Sequence, residues 1–294
     1  MANENAMQLQ MDKEKVTGGI RARRVLANVV LILLCILCLF WFYILIVNAT
    51  RNNAELSGSS FYIFFGKYFG KNWNSLMKSS INVWRGMLNS VIIAASSAVL
   101  CTYFSTMTAY AIHAYEFKLK NFMFTFILMI MMIPTQVTAL GFVNFMRTIR
   151  LHDTFVPLII PAIAAPVTFF YMKQYMDSTL PLSIIEAARI DGSGEFRTFN
   201  TIVLPMMKPA IAVQAIFTFV SSWNNYFTPA LILKSDKNKT LPILIATLRS
   251  ADYMKFDMGQ VYMMIMLSIF PVIVVYLALS KFIVGGVALG SVKG

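Results

Sequence analysis

Six apolar runs alternate with polar stretches along the chain: Val25–Asn48, Met87–Ile112, Phe122–Met146, Phe155–Met172, Ala210–Leu233 and Gly259–Leu279. A helix needs about 20 apolar residues to cross the hydrocarbon of a bilayer. Each run reaches or approaches that length, so each is predicted to be a transmembrane helix. Pro157, Pro161 and Pro166 interrupt the fourth, which a span tolerates where neighbouring helices satisfy the freed carbonyls. From Asn89-Ser90 onward the second run is dense in small and hydroxyl residues, among them Ala94, Ala95, Ser97, Ala98 and Thr102. Small residues let helix backbones approach closely, which predicts a packed interior helix.

Two of the connecting stretches carry patterns of their own. In the stretch 54–85, Phe61, Phe64, Phe65, Tyr68 and Phe69 recur at i, i+3, i+4, i+7 and i+8, the pattern of an amphipathic helix with an aromatic face. The polar stretch Glu186–Pro205 predicts two short helices with a sharp corner. Ser183 and Glu186 have capping-box spacing, and Asp191-Gly192 stops the helix with a glycine free to adopt positive φ. Ser193 is placed to cap a second helix, with Phe196, Phe199, Ile202 and Val203 on one face and Pro205 closing it.

None of the six runs contains Asp, Glu, Lys, Arg or His. Proton- and voltage-driven transporters place ionisable groups inside the membrane, so the pattern predicts a conduit driven from elsewhere. The polar residues in the runs are neutral, among them Gln136, Asn144, Gln214, Ser221, Ser222, Asn224 and Asn225, with Trp223 beside them. They suit the hydroxyls and ring faces of a sugar, and they equally suit hydrogen bonds between helices. With 58% hydrophobic and 13% charged residues, the chain of 294 residues has a membrane protein's composition. The net charge of +12 is accounted for by basic residues flanking spans near anionic lipid, not by nucleic acid. Five basic residues precede the first run and only Arg51 soon follows it, which favours an N-terminus inside. Residues 1–24 are then a cytoplasmic tail, and the first run is a retained anchor. Cys35 and Cys38 have no second pair or nearby histidine to complete a metal site. The P-loop spacing G-x-x-x-x-G-K-[ST] is absent.

Glu186-Ala187-Ala188, two residues, Asp191-Gly192, nine residues, then Ile202, Leu204 and Pro205 match the EAA signature of ABC importer permeases. Asn89-Ser90, Met132-Ile133-Pro134, Trp223-Asn224-Asn225 and the ending Gly290-Ser291-Val292-Lys293-Gly294 resemble its carbohydrate-uptake, maltose-type branch. The resemblance implies an all-α integral membrane protein, six transmembrane helices in the type I importer (MetI-like) fold. The permease domain then covers residues 25–294, with a core of roughly 86–284 and a cytoplasmic coupling loop at 177–208. It implies that Glu186, Ala187, Ala188, Asp191, Gly192, Ile202, Leu204 and Pro205 couple to an ATPase, and that Gly290, Lys293 and Gly294 contact it. Gln136, Asn144, Gln214, Ser222, Trp223, Asn224 and Asn225 become candidates to line the pathway. The loop after the fifth run, with Lys237 and Lys239, is expected to meet a binding protein.

The resemblance also implies the partners. They are a second permease in a heterodimer, two ATPase subunits carrying ATP and magnesium, an extracytoplasmic sugar-binding protein and membrane lipid. This chain itself then needs no cofactor, is no enzyme, and lies in a bacterial or archaeal cell membrane with both termini cytoplasmic. A permease for a non-sugar solute such as a glycerol phosphate is the main alternative; it calls for a cation in the cavity. A secondary transporter calls for intramembrane charge or an internal repeat, and a membrane enzyme for convergent His, Asp or Glu. His113 and His152 are read as isolated at opposite membrane faces.

Overall fold

The computed structural model describes residues 2–58, 61–250 and 257–290, all helices, turns and loops. In chain order the helices are α1 (Ala2–Ala49), α2 (Asn53–Ser57), α3 (Phe69–Met77), α4 (Val83–Ala114), α5 (Lys120–Ile130) and α6 (Thr135–Thr148). There follow α7 (Val156–Ile159), a 3-10 turn (Ile160–Ile163), α8 (Pro166–Thr179), α9 (Leu182–Ile190), α10 (Glu195–Thr198), a π turn (Phe199–Val203) and α11 (Leu204–Met206). The chain continues through α12 (Lys208–Trp223), α13 (Phe227–Ile232), a 3-10 turn (Asp236–Asn238), α14 (Leu241–Arg249) and α15 (Met258–Gly290). Two compact units emerge, Met1–Trp73 with Asp257–Met266, and Asn74–Phe256 with Leu267–Gly294.

The smaller unit is built on a loop where the aromatic pattern predicts a helix. Residues 61–68 are irregular and the helix begins only at Phe69. The carbonyls a helix needs there are already taken: Tyr43 donates its hydroxyl to Ile63 O at 2.6 Å, and Arg51 Nη2 donates to Phe64 O at 2.6 Å. The Thr50 hydroxyl accepts from Gly66 N at 2.6 Å, and the Thr50 carbonyl from Tyr68 N at 3.0 Å. A Cβ at Gly66 would collide with that carbonyl oxygen. Asn72 locks the same corner, its Nδ2 donating to Ala49 O at 2.9 Å and Arg51 O at 2.7 Å.

In the larger unit α4 is the central helix. Its buried positions, including Gly86, Ser90, Ala94, Ser97, Cys101 and Ser105, recur every three or four residues. Against this small-residue face pack α8, α12, α14 and the first 3-10 turn. Two buried hydroxyls are satisfied within the helix itself, Thr102 Oγ1 donating to Ala98 O and Thr106 Oγ1 to Thr102 O. The predicted interior helix is therefore present.

The six runs do not become six continuous helices. Among the described residues four segments are long and apolar enough to span: Arg23–Ala49, Val83–Ala114, Val156–Thr179 and Met258–Ile283. A fifth arises if Glu195–Met206 and Lys208–Trp223, bent by 80°, are counted together. The third run is two helices, parted at Met131–Pro134. Proline 134 lacks an N–H and sits extended at the N-cap of α6, φ −64° and ψ 127°, and a proline also disfavours helix in the residue before it. In the fourth run Pro157, Pro161 and Pro166 each fall in the first turn of a helical piece, where a missing N–H costs nothing. Helices α4 and α8 also outlast their apolar runs. His113 is consequently not isolated: its Nδ1 lies 2.8 Å from Asp177 Oδ1 and its Nε2 3.0 Å from Leu180 O, with Lys173 Nζ 2.6 Å from the same carboxylate.

The Gly66 corner yields a direct test. Gly66→Ala forces the Thr50 backbone to move and should cost about 1–3 kcal/mol. Thermal unfolding of the detergent-solubilised protein should show the midpoint falling by several degrees, and an unchanged midpoint would contradict the close approach.

Candidate functional site

The polar stretch after α8 folds into the predicted corner, by a different route at its start. Pro181 is the N-cap of α9, extended at φ −65° and ψ 136°, and no side chain caps the helix. Helix α9 therefore begins at Leu182, which puts Ser183 two residues too deep to act as cap; the capping box does not form. The C-terminus is as the Asp-Gly pair predicts. Gly192 has φ +75°, Gly192 N donates to Arg189 O at 3.0 Å and Ser193 N to Ala188 O at 2.9 Å. These two bonds together are the Schellman arrangement, which satisfies carbonyls orphaned at the helix end.

The second arm starts at Glu195 with Gly194 as N-cap and no side-chain cap. Ser193 instead accepts from the Thr198 hydroxyl at 2.9 Å. Pro205 does not close this arm. The helix widens to a π turn at Phe199–Val203, Leu204 N bonding back to Phe199 O, and runs on to Met206. A proline ring clashes with the carbonyl four residues earlier in a regular helix, and the wider turn gives it room. Phe199 and Val203 are buried, whereas Phe196 is 70% exposed, so the predicted common face is divided. Its buried half joins Tyr110, Phe169, Met172, Met176 and Ile185 in one core cluster.

An ionic contact fixes the corner. Arg189 Nε donates to Glu195 Oε1 at 2.7 Å, Tyr110 OH on α4 donates to Glu195 Oε2 at 2.8 Å, and the guanidinium lies 5.1 Å from the Tyr115 ring centre. Glu195 is the first residue of α10. Its hydrogen bond from Arg189, with one from Tyr115, holds the carboxyl down at about 2. The same contact raises the Arg189 guanidinium, and burial beside Glu195 raises the Tyr115 phenol. Tyr110 and Glu195 are 85 residues apart, and nothing local in the sequence marks them as partners. Of the signature residues, Glu186, Ala187, Asp191, Gly192 and Pro205 are exposed, Ile202 and Leu204 half-buried, and Ala188 buried. Ile190 is 86% exposed and, with Phe196, flanks the corner.

The other end of α4 organises the loop carrying Lys237 and Lys239. Asn89 Nδ2 donates to the main-chain carbonyls of both lysines at 2.9 Å, Arg85 Nε to that of Lys237 at 2.8 Å, and Ser90 Oγ accepts from Leu241 N at 2.8 Å. Asp153, at φ 60°, accepts from Lys234 N, Ser235 N and the Ser235 hydroxyl, while Asn238 donates to its carbonyl. Burial would raise this carboxyl, but those hydrogen bonds outweigh it and hold it far below the usual range. The Lys237 side chain is exposed, and the Lys239 ammonium pairs with Asp236 at 2.6 Å. Leu241, Ile243 and Leu244 on α14 are buried, so this half of the loop packs back on the helices as its apolar pattern predicts.

Between the two ends the neutral polar candidates separate. Gln214, Ser222 and Asn225 line one cavity of about 460 Å³ together with Ser97, Thr168 and Thr218. Trp223 is buried and stacks on Phe219 with ring centres 5.8 Å apart. Asn224 is exposed just past α12, and Gln136 and Asn144 are exposed on α6. Lys293 and Gly294 lie outside the described residues, and Gly290 is the last residue of α15.

Two outcomes follow from the corner. Nothing lies within 4 Å of a Cβ built at Gly192, so its requirement is conformational alone. Gly192→Val should cost about 1–3 kcal/mol and speed exchange of the Ser193 amide roughly 5- to 150-fold in native-state hydrogen exchange. Gly192→Asn, which tolerates positive φ, should change it far less. The lowered Glu195 carboxyl stabilises the fold above the ordinary glutamate value of 4.5, and that contribution is lost as pH falls from there toward about 2. Glu195→Gln should flatten the acid limb of stability between those values; an unchanged limb would show that the contact contributes nothing.

Comparison with known proteins identifies this architecture. Residues 102–287 match the family model described as binding-protein-dependent transport system inner membrane component. The arabinooligosaccharides transport system permease protein AraQ of Bacillus subtilis is 31% identical over 276 residues, covering 92% of this chain and 96% of that protein. Its namesake from Halalkalibacterium halodurans is 36% identical over 214 residues, 72% and 75% of the two chains. The sn-glycerol-3-phosphate transport system permease protein UgpE of Salmonella typhimurium is 29% identical over 271 residues, 90% and 96%. Among solved structures, a chain of a bacterial ABC transporter involved in the import of the acidic polysaccharide alginate superposes with TM-score 0.74 at 21% identity, covering 89% of this chain and 96% of that one. An all-helical fold of this kind, the match over most of its larger unit and relatives aligned nearly end to end lead to one conclusion: the chain belongs to the binding-protein-dependent transport system inner membrane components, the ABC importer permeases.

Proposed function

We propose that this chain is one membrane-spanning permease of an ATP-driven, binding-protein-dependent importer of sugars, oligosaccharides in particular, and forms half of the translocation pathway. Two relatives named for arabinooligosaccharide transport support the substrate class. The glycerol phosphate permease is similar at lower identity, and among the described residues no cation lines the cavity that holds Gln214, Ser222 and Asn225, where a phosphate ester calls for one.

The observation that carries the coupling role is the exposed apolar pair Ile190 and Phe196. It projects from a corner held by a Schellman turn and an ion pair. Two bare hydrophobes on a rigid polar knob suit insertion into a pocket of a partner protein. In our reading the pocket belongs to an ATPase subunit, which carries ATP and magnesium. Exposed Glu186, Ala187, Asp191 and Gly192 rim the contact, and buried Ala188, with Ile202, Leu204 and Pro205, shapes the knob from behind. The C-terminal residues Gly290, Lys293 and Gly294 reach the same subunit. The loop then lies in the cytoplasm with both termini, six crossings being completed by the broken third and fifth runs. A second permease completes the pathway, and a binding protein delivers sugar to the opposite face, at Lys237 and Lys239.

Pulling on the knob moves α4 because Glu195 joins Tyr110 to Arg189. Rigid-body rocking of packed helices about a central cavity is an established mode of alternating access. Ile190→Glu buries a charge in the proposed contact and should reduce co-purification of the ATPase subunit by about tenfold or more. The variant should still reach the membrane. Undiminished co-purification would refute the docking role of the corner.

A further inference from the structure

Gln214 stands where two cavities share a wall. The cavity of about 460 Å³ between α4, α8 and α12 has it at one limit. A second, of about 520 Å³, begins at the same residue and continues along α8 and α12 past Tyr171, Gln174, Tyr175 and Pro209. Gln214 is only 7% exposed, and among the described residues its amide makes no hydrogen bond. The amide instead opens onto the two cavities it lines, free to bond a molecule that enters them. Its neighbours extend the polar lining. Thr218, Ser221 and Ser222 follow Gln214 on α12 at i+4, i+7 and i+8, one face of the helix, and with Asn225 just past the helix end they line the cavity of about 460 Å³ with it.

We infer that Gln214 is a substrate-binding residue at the waist of the pathway, and that its ligand is a neutral polyhydroxylated molecule. This assignment rests on the reading of the chain as a sugar permease and locates where in this subunit the sugar is held. The chemistry follows from the lining. A carboxamide offers two donors and an acceptor to paired hydroxyls, the serine and threonine hydroxyls extend that ladder, and Tyr171 and Tyr175 present aromatic surface in the second cavity. Among the described residues no Asp, Glu, Lys, Arg or His lines either space, so a phosphate entering here would lose its water without gaining a counter-charge from them. Placed between the cavities, Gln214 is, among the described residues, the one side chain that lines both.

The test uses the whole transporter in proteoliposomes, with partner permease, ATPase and binding protein, and labelled arabinotriose and glycerol 3-phosphate as probes. Gln214→Leu keeps the volume and removes the amide. Sugar taken up per ATP should fall about tenfold or more while hydrolysis stimulated by loaded binding protein stays within about twofold. Gln214→Asn, which restores an amide on a shorter stem, should recover part of the loss. Arabinotriose uptake left intact by Gln214→Leu, or uptake and hydrolysis falling together, overturns the assignment alone. Wild-type uptake of glycerol 3-phosphate in place of arabinotriose would instead refute the sugar reading, and this assignment with it.

Discussion

Close approach to α4 is the constraint on which the larger unit depends. A bilayer interior offers no water to satisfy polar groups and little hydrophobic force to draw helices together, so packing must do both. The small face from Gly86 to Ser105 lets α8 and α12 come near enough to enclose a polar cavity. At one end Asn89 and Ser90 hold the loop of Lys237 and Lys239 by its main chain. At the other, Tyr110 holds Glu195 and His113 holds Asp177. One helix thus ties together both terminal loops and the cavity between them.

Most of this was legible where it rests on local chemistry. The small-residue run declared an interior helix, Asp191-Gly192 declared a helix stop with positive φ, and Leu241–Leu244 declared a segment that packs back. The signature spacing declared the family. What stayed hidden depends on contacts between distant residues. The aromatic repeat of Phe61–Phe69 reads as a helix, yet Tyr43, Arg51 and Thr50 claim its carbonyls and amides. Ser183 and Glu186 have the spacing of a capping box, but Pro181 starts the helix first. The Glu195–Tyr110 bond and the Asp153 anchor have no sequence signal at all, because each partner is an ordinary residue in its own neighbourhood.

Charge placement gives the molecule its division of labour. Among the described residues, the two cavities that meet at Gln214 are lined without Asp, Glu, Lys, Arg or His. Ionic contacts gather at the helix ends, where Arg189–Glu195 and Lys173–Asp177–His113 stiffen the connections of α8 and α9 to α4. A stiff end and an uncharged middle suit a subunit whose driving energy arrives from outside through a loop.

The most direct measurement is uptake of a labelled oligosaccharide into proteoliposomes holding this chain with the partner permease, ATPase subunits and binding protein proposed for it. The account predicts accumulation that requires both ATP and the binding protein, and that stops when either is withheld. Accumulation driven by a proton gradient without ATP, or equal uptake without the binding protein, would contradict it.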